Sequence, residues 1–141
     1  MAIPEFSTKK NMTILMLCIG LVQIAGYYLA GMFASPDGSM AVPQPDTLLY
    51  CQAARRIVEG HPFSFSEGTA VSTGTTSVLY PFILAIPYAL GATGDALFMA
   101  GFWLNAIFYL IFLFGWGQTL WQWLERPEAR LMAMLLLVLS G

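Results

Sequence analysis

Apolar positions fall into two long runs, separated by a polar stretch that contains one amphipathic segment and one short apolar segment. After a polar lead at 1–11, the segment Met12–Phe33 has no charge and only Thr13 and Gln23 as polar interruptions. About 20 apolar residues, rising about 1.5 Å each, cross a ~30 Å hydrocarbon core, so 12–33 is predicted as a first spanning helix. The polar stretch 43–77 then gathers Asp46, Arg55, Arg56, Glu59, His61 and Glu67. Within it Asp46 opens DTLLYCQAARRIVEG. At about 100° per residue Leu49, Tyr50, Ala53 and Ile57 share a face, and Asp46 projects towards it. This predicts an amphipathic helix at 46–59, closed by Gly60 as its C′ glycine and by Pro62 as a breaker. It is too short and too charged to span and is expected along the interface. A second short helix is predicted at 77–90, with Ser77 as cap and Pro81 tolerated in the first turn. Pro87 should kink or end it. Residues 95–124 form the second predicted span, with Trp103 near one end and Trp116, Trp121 and Trp123 near the other, as interfacial aromatics are placed. A polar turn at 125–130, expected on the cytoplasmic side, leads into an apolar run at 131–141, the expected start of a third spanning helix.

The expected fold class is an all-α polytopic membrane protein, with spanning helices plus short interfacial helices in a large first external loop, 34–94. Charge sets the orientation. Lys9, Lys10, Arg126 and Arg130 fall on one side and Arg55 and Arg56 on the other, which puts the N-terminus in the cytoplasm by the positive-inside rule. The membrane expected is a plasma membrane, the inner one of a bacterium. A cleaved signal peptide is the alternative reading of the first run. That run is long for such a segment, and positions 33–35 lack a suitable small-residue cleavage pair. The run at 131–141 is too short to cross. Because unpaired carbonyls are costly in hydrocarbon, the chain is expected to be an N-terminal fragment of a larger multispanning protein. In the spans, Gln23 and Asn105 each read as interhelical hydrogen-bonding groups or as substrate contacts. Gly26 and Ala30 read as a small-xxx-small pair for close helix packing.

Composition agrees with a membrane setting. The 141 residues are 57% hydrophobic and 10% charged, against about 45–50% and about 25% in soluble domains. The net charge is -2 and there is no basic patch, so nucleic acid is not an expected partner. Cys18 lies in an apolar run and Cys51 in the polar stretch, so the two read as small hydrophobes at different depths rather than as a disulfide or metal pair. CxxC, HExxH, GxxxxGK[ST] and GxSxG patterns are all missing, and His61 is the one histidine.

One further pattern is carried by three stretches in order: Asp46 opening a short helix, then ARRIVEGHPFSF from Ala54 to Phe65, then STGTTSVLYP from Ser72 to Pro81. Together with the first span they resemble the N-terminal portion of the GT-C fold glycosyltransferases, polytopic enzymes related to protein mannosyltransferases and aminoarabinose transferases. The resemblance covers about Met12 to Leu124. It implies transfer of a sugar from a polyprenyl-phosphate donor in the membrane to an acceptor on the outer face, with Asp46 as catalytic base. The role is chemically sensible: an inverting displacement at the anomeric carbon needs a carboxylate to take the acceptor's proton and cationic or N–H donors near the departing phosphate. This chain departs from the common family pattern, which has a second acid beside the aspartate; here Pro45 and Thr47 flank Asp46. That departure weakens a two-carboxylate or metal-assisted reading, and a divalent cation needs more oxygen ligands than Asp46 alone supplies. No cofactor is expected beyond the lipid-linked sugar donor.

Each candidate has a plainer reading beside the functional one. Asp46 after Pro45 could serve as a helix N-cap. Arg55 and Arg56 are candidates for the donor phosphate, or for lipid head groups. His61 beside Pro62 is a substrate contact or a turn residue, Glu67 a substrate contact or a solvated turn carboxylate, and Tyr80 a substrate contact or an interface anchor. Alternatives to the transferase are a non-catalytic small membrane scaffold or assembly subunit that binds a partner through the external loop, and, third, a transporter fragment. The last would be expected to carry discontinuous or charged spans.

Overall fold

The computed structural model describes residues 9–35, 45–66, 68 and 76–139, and among these there are five helices and no strand. They are α1 (Lys9–Ala34), α2 (Pro45–Val58), α3 (Leu79–Ala89), α4 (Asp95–Trp123) and α5 (Pro127–Leu139). The chain divides into two compact units, one of Met1–Tyr28 with Asn105–Gly141 and one of Leu29–Leu104.

Helices α1 and α4, of 26 and 29 residues, are long and apolar enough to cross a membrane. At about 1.5 Å per residue they measure roughly 39 and 44 Å, beyond the ~30 Å of a hydrocarbon core. Only 11% and 22% of their most apolar windows are buried. Side chains such as Val22, Ile107, Ile111 and Phe114 therefore stay uncovered. Apolar surface of that extent is expected against lipid, because water disfavours it.

The first unit is held by Met12 and Met16 of α1, Leu113 of α4, and Met134 and Val138 of α5. Flexible methionines fill the irregular space where three helices meet. The close approach falls at Gly20, where an added Cβ would come 2.5 Å from a methyl of Leu113, and at Gly117, where it would meet the Met16 sulfur at 3.4 Å. This corrects the expectation for Gly26 and Ala30: a Cβ on Gly26 would meet nothing within 4 Å, and Ala30 is exposed. Small residues permit a close contact, but only a facing helix makes one. Gln23 is an interhelical group here. Its Oε1 accepts a 2.7 Å hydrogen bond from the Tyr109 hydroxyl, which also lies 3.3 Å from the Val138 carbonyl. At the end of α4, Arg130 stacks over Trp121 with 3.9 Å to the ring centroid and donates to the carbonyls of Trp121 and Leu124. A cation there satisfies the last carbonyls and opposes the negative end of the helix dipole.

In the second unit α2 packs against α3, and Leu97 at the start of α4 completes the cluster with Ala54, Leu84 and Ala85. The inward stripe of α2 is Tyr50, Ala54 and Ile57 with Cys51. That is about one position around the helix from the predicted Leu49 and Ala53, both half-buried. The rotation leaves Asp46 exposed rather than turned towards the core. Both short helices end in a Schellman turn, as Gly60 foreshadowed for α2. Gly60 has φ 83°, with its N–H on Ile57 and that of His61 on Arg56; Gly91 has φ 100°, with its N–H on Tyr88 and that of Ala92 on Pro87. Ser77 accepts the Tyr80 N–H at 3.4 Å, and α3 runs two residues beyond Pro87 before it stops.

Candidate functional site

The polar side chains of the second unit gather on α2 and the turn after it. Helix α2 starts at Pro45, a residue pre-set for the first helical position, so Asp46 lies inside the first turn rather than at the cap. Its carboxylate is exposed there, at the positive end of the helix dipole. Among the described residues no hydrogen bond or ion pair holds it.

Arg55 and Arg56 converge on one acid. Arg55 Nε donates to Glu59 Oε1 and Arg56 Nη1 to Glu59 Oε2, each at 2.7 Å. The i, i+4 and i, i+3 spacings place all three groups on neighbouring surface of the helix. Hydrogen bonds from Arg55 and then Arg56 hold the Glu59 carboxyl below its ordinary range. The Glu59 bond in turn raises Arg55. Arg56 also donates to Ser64 Oγ at 3.2 Å, and Ser64 Oγ donates to the His61 carbonyl at 2.9 Å. Gln52 reaches the Phe65 carbonyl at 3.0 Å. The turn His61–Phe65 is therefore fastened to α2 at two points.

That fastening holds an unusual backbone. Phe63 has φ 64°, a left-handed conformation that costs a bulky residue about 1–3 kcal/mol. Its ring meets Phe82 of α3 edge-on at 5.9 Å between centroids, which offsets part of the strain. Tyr50 and Tyr80 form a second edge-on pair at 5.1 Å. The Tyr50 hydroxyl is hydrogen-bonded to Thr76, and Tyr80 donates to the Gly101 carbonyl at 3.4 Å.

Of the candidates named from sequence, Asp46 and His61 are exposed. Arg55 and Arg56 are drawn together on Glu59, and Tyr80 is turned to the start of α4. Glu67, and the segment 69–75 between the two short helices, lie outside the described residues. Sequence reasoning missed the roles of Glu59, Gln52 and Ser64; the R-R-x-x-E spacing was the signal for the first, and nothing local marks the other two. Burial pushes the Cys51 thiol up to about 11, so it carries little thiolate at neutral pH. No group of three or more metal-ligating side chains occurs among the described residues. No family model, curated protein or solved structure matches this chain.

Proposed function

We propose that this chain forms the N-terminal part of a multi-pass integral membrane glycosyltransferase of GT-C type in a bacterial inner membrane, with its N-terminus in the cytoplasm. The enzyme moves a sugar from a polyprenyl-phosphate donor to an external acceptor. The acceptor oxygen bonds to the anomeric carbon as the bond from that carbon to the phosphate oxygen breaks. Asp46 takes the acceptor's proton, and the phosphate leaves with its lipid. The observation that supports the reading is the contrast on α2 between an exposed Asp46 with no described ion pair and an Arg55–Arg56–Glu59 cluster already satisfied internally. A general base has to be available to the acceptor, and Asp46 meets that requirement. In this reading Arg55 and Arg56 organise the site rather than bind phosphate, and His61 is the exposed polar side chain on the same turn.

Asp46→Asn in the full-length protein tests the proposal. Sugar transfer should fall by about 10²–10⁴-fold, the usual contribution of a positioned base, with the membrane level unchanged. Transfer near the wild-type rate removes Asp46 from catalysis, and loss of the protein itself shows a structural role.

A further inference from the structure

Helix α3 is apolar on every side, yet only one side is covered. Pro81, Leu84 and Ala85 are buried, and the last two join the cluster with Ala54 of α2 and Leu97 of α4. On the opposite side Leu79, Phe82, Ile86 and Leu90, at i, i+3, i+7 and i+11, are 69%, 40%, 62% and 84% exposed. These spacings form one continuous stripe on a helix. No Asp, Glu, Lys, Arg or His occurs between Gly68 and Asp95. The charged groups of this unit lie elsewhere. Arg55 and Glu59 are on the outer side of α2, away from its Tyr50–Ala54–Ile57 stripe.

We propose that this stripe is a lipid-contacting surface: α3 lies in the outer edge of the bilayer, and α2 rides above it on the water side. The depth of α3 follows from its neighbours. Leu97 packs in the same cluster, and Tyr80 bonds to the Gly101 carbonyl, about 9 Å along α4 from Asp95 at about 1.5 Å per residue. Helix α3 is thus held beside the first turns of a helix long enough to span. Trp103, half exposed in those same turns, suits the interface level at which indole rings concentrate. Phe63 adds to the edge: its left-handed backbone holds the ring outward against Phe82. The surface departs from the sequence-based expectation that α2 itself lies on the membrane. It places α2, with Asp46, one helix layer above the lipid. The inference rests on α4 crossing the membrane and not on the chemistry of Asp46.

Spin labels on single cysteines, in a Cys18→Ala/Cys51→Ala background of the full-length protein in nanodiscs, test it. Labels at 82, 86 and 90 should be reached by oxygen more than by a water-soluble nickel chelate, and labels at 48, 55 and 59 should show the reverse. Equal chelate access at 82, 86 and 90 overturns the proposal, as does shielding from both reagents, which would mean that a protein segment covers the stripe. A label at 111 reports on α4: lipid access there with water access at 82, 86 and 90 defeats the α3 surface alone, whereas water access at 111 defeats the spanning reading as well. Hydroxyl-radical footprinting of the unsubstituted protein in nanodiscs checks the same point without cysteine substitution. Residues 79–90 should be protected, and modification equal to that of α2 overturns the proposal.

Discussion

The two units solve the same packing problem with different materials. In the first, three helices meet through methionine, leucine and valine side chains, a close approach at Gly20, and one polar node at Gln23 and Tyr109. In the second, two short helices share a small apolar cluster, and α2 carries a web of ion pairs and side-chain hydrogen bonds that fasten the following turn. The contrast fits the proposed setting, in which α1 and α4 cross a membrane and α2 stands on its water side. Lipid tails are as apolar as leucine, so helices within a bilayer associate through close packing and a few hydrogen bonds rather than through a hydrophobic driving force. A layer facing water can use both apolar burial and charge, with the charges screened by salt.

Substitutions in matched pairs can break that contrast. The largest expected effect is at Leu84, almost fully buried in the second unit. Leu84→Ala should cost about 2–5 kcal/mol of stability to denaturant. Leu113→Ala, at an equally buried site, should fall at the low end of that range because, in the proposed membrane setting, lipid rather than water takes up the side chain when the helices separate. Equal costs would erase the distinction between the units. Next is the helix contact. Gly20→Val should destabilise the fold by about 1–3 kcal/mol through overpacking against Leu113, read as a lowered thermal midpoint in detergent. Gly26→Val should stay within about 0.5 kcal/mol, as surface changes do. A large effect at Gly26 would show that a partner covers it. Tyr109→Phe removes one interhelical hydrogen bond and should cost about 0.6 kcal/mol, the average for such bonds between membrane helices.

The smallest effect concerns charge. The folded-state Glu59 carboxyl is held below its ordinary range by the two arginines. Its contribution to stability is therefore present above the unfolded value, near ~4.3, and is lost as pH falls through the lower folded value. Glu59→Gln should be less stable than the parent at neutral pH and low salt, and the gap should close on acidification below that range or on addition of salt. A gap independent of both would mean that the carboxylate's charge plays no part.

Much of this architecture was legible beforehand because its signals are local. The apolar runs at 12–33 and 95–124 coincide with α1 and α4, and the amphipathic segment at 46–59 with α2, to within a few residues at each end. Gly60 terminates α2 through the left-handed turn that its lack of a side chain permits. Asp46 was legible as a candidate too. Its place off the buried stripe was not, because a rotation of one position depends on where Leu84 and Ala85 present themselves.

The sequence by itself determined most of the helical segments and which of them are apolar enough for lipid, though Pro127–Arg130, read as part of a polar turn at 125–130, is the first turn of α5. Backbone preference and hydrophobic run length require no knowledge of a partner. Only the tertiary structure decided who faces whom: Gly20 rather than Gly26 at the close contact, Ala54 rather than Ala53 at the core, both arginines on Glu59, and Phe63 in a left-handed backbone against Phe82. Apart from the arginine contacts with Glu59, which the i, i+3 and i, i+4 spacing already allowed, each of these depends on the shape and chemistry of residues on another segment, and the spacing along one helix carries no record of them.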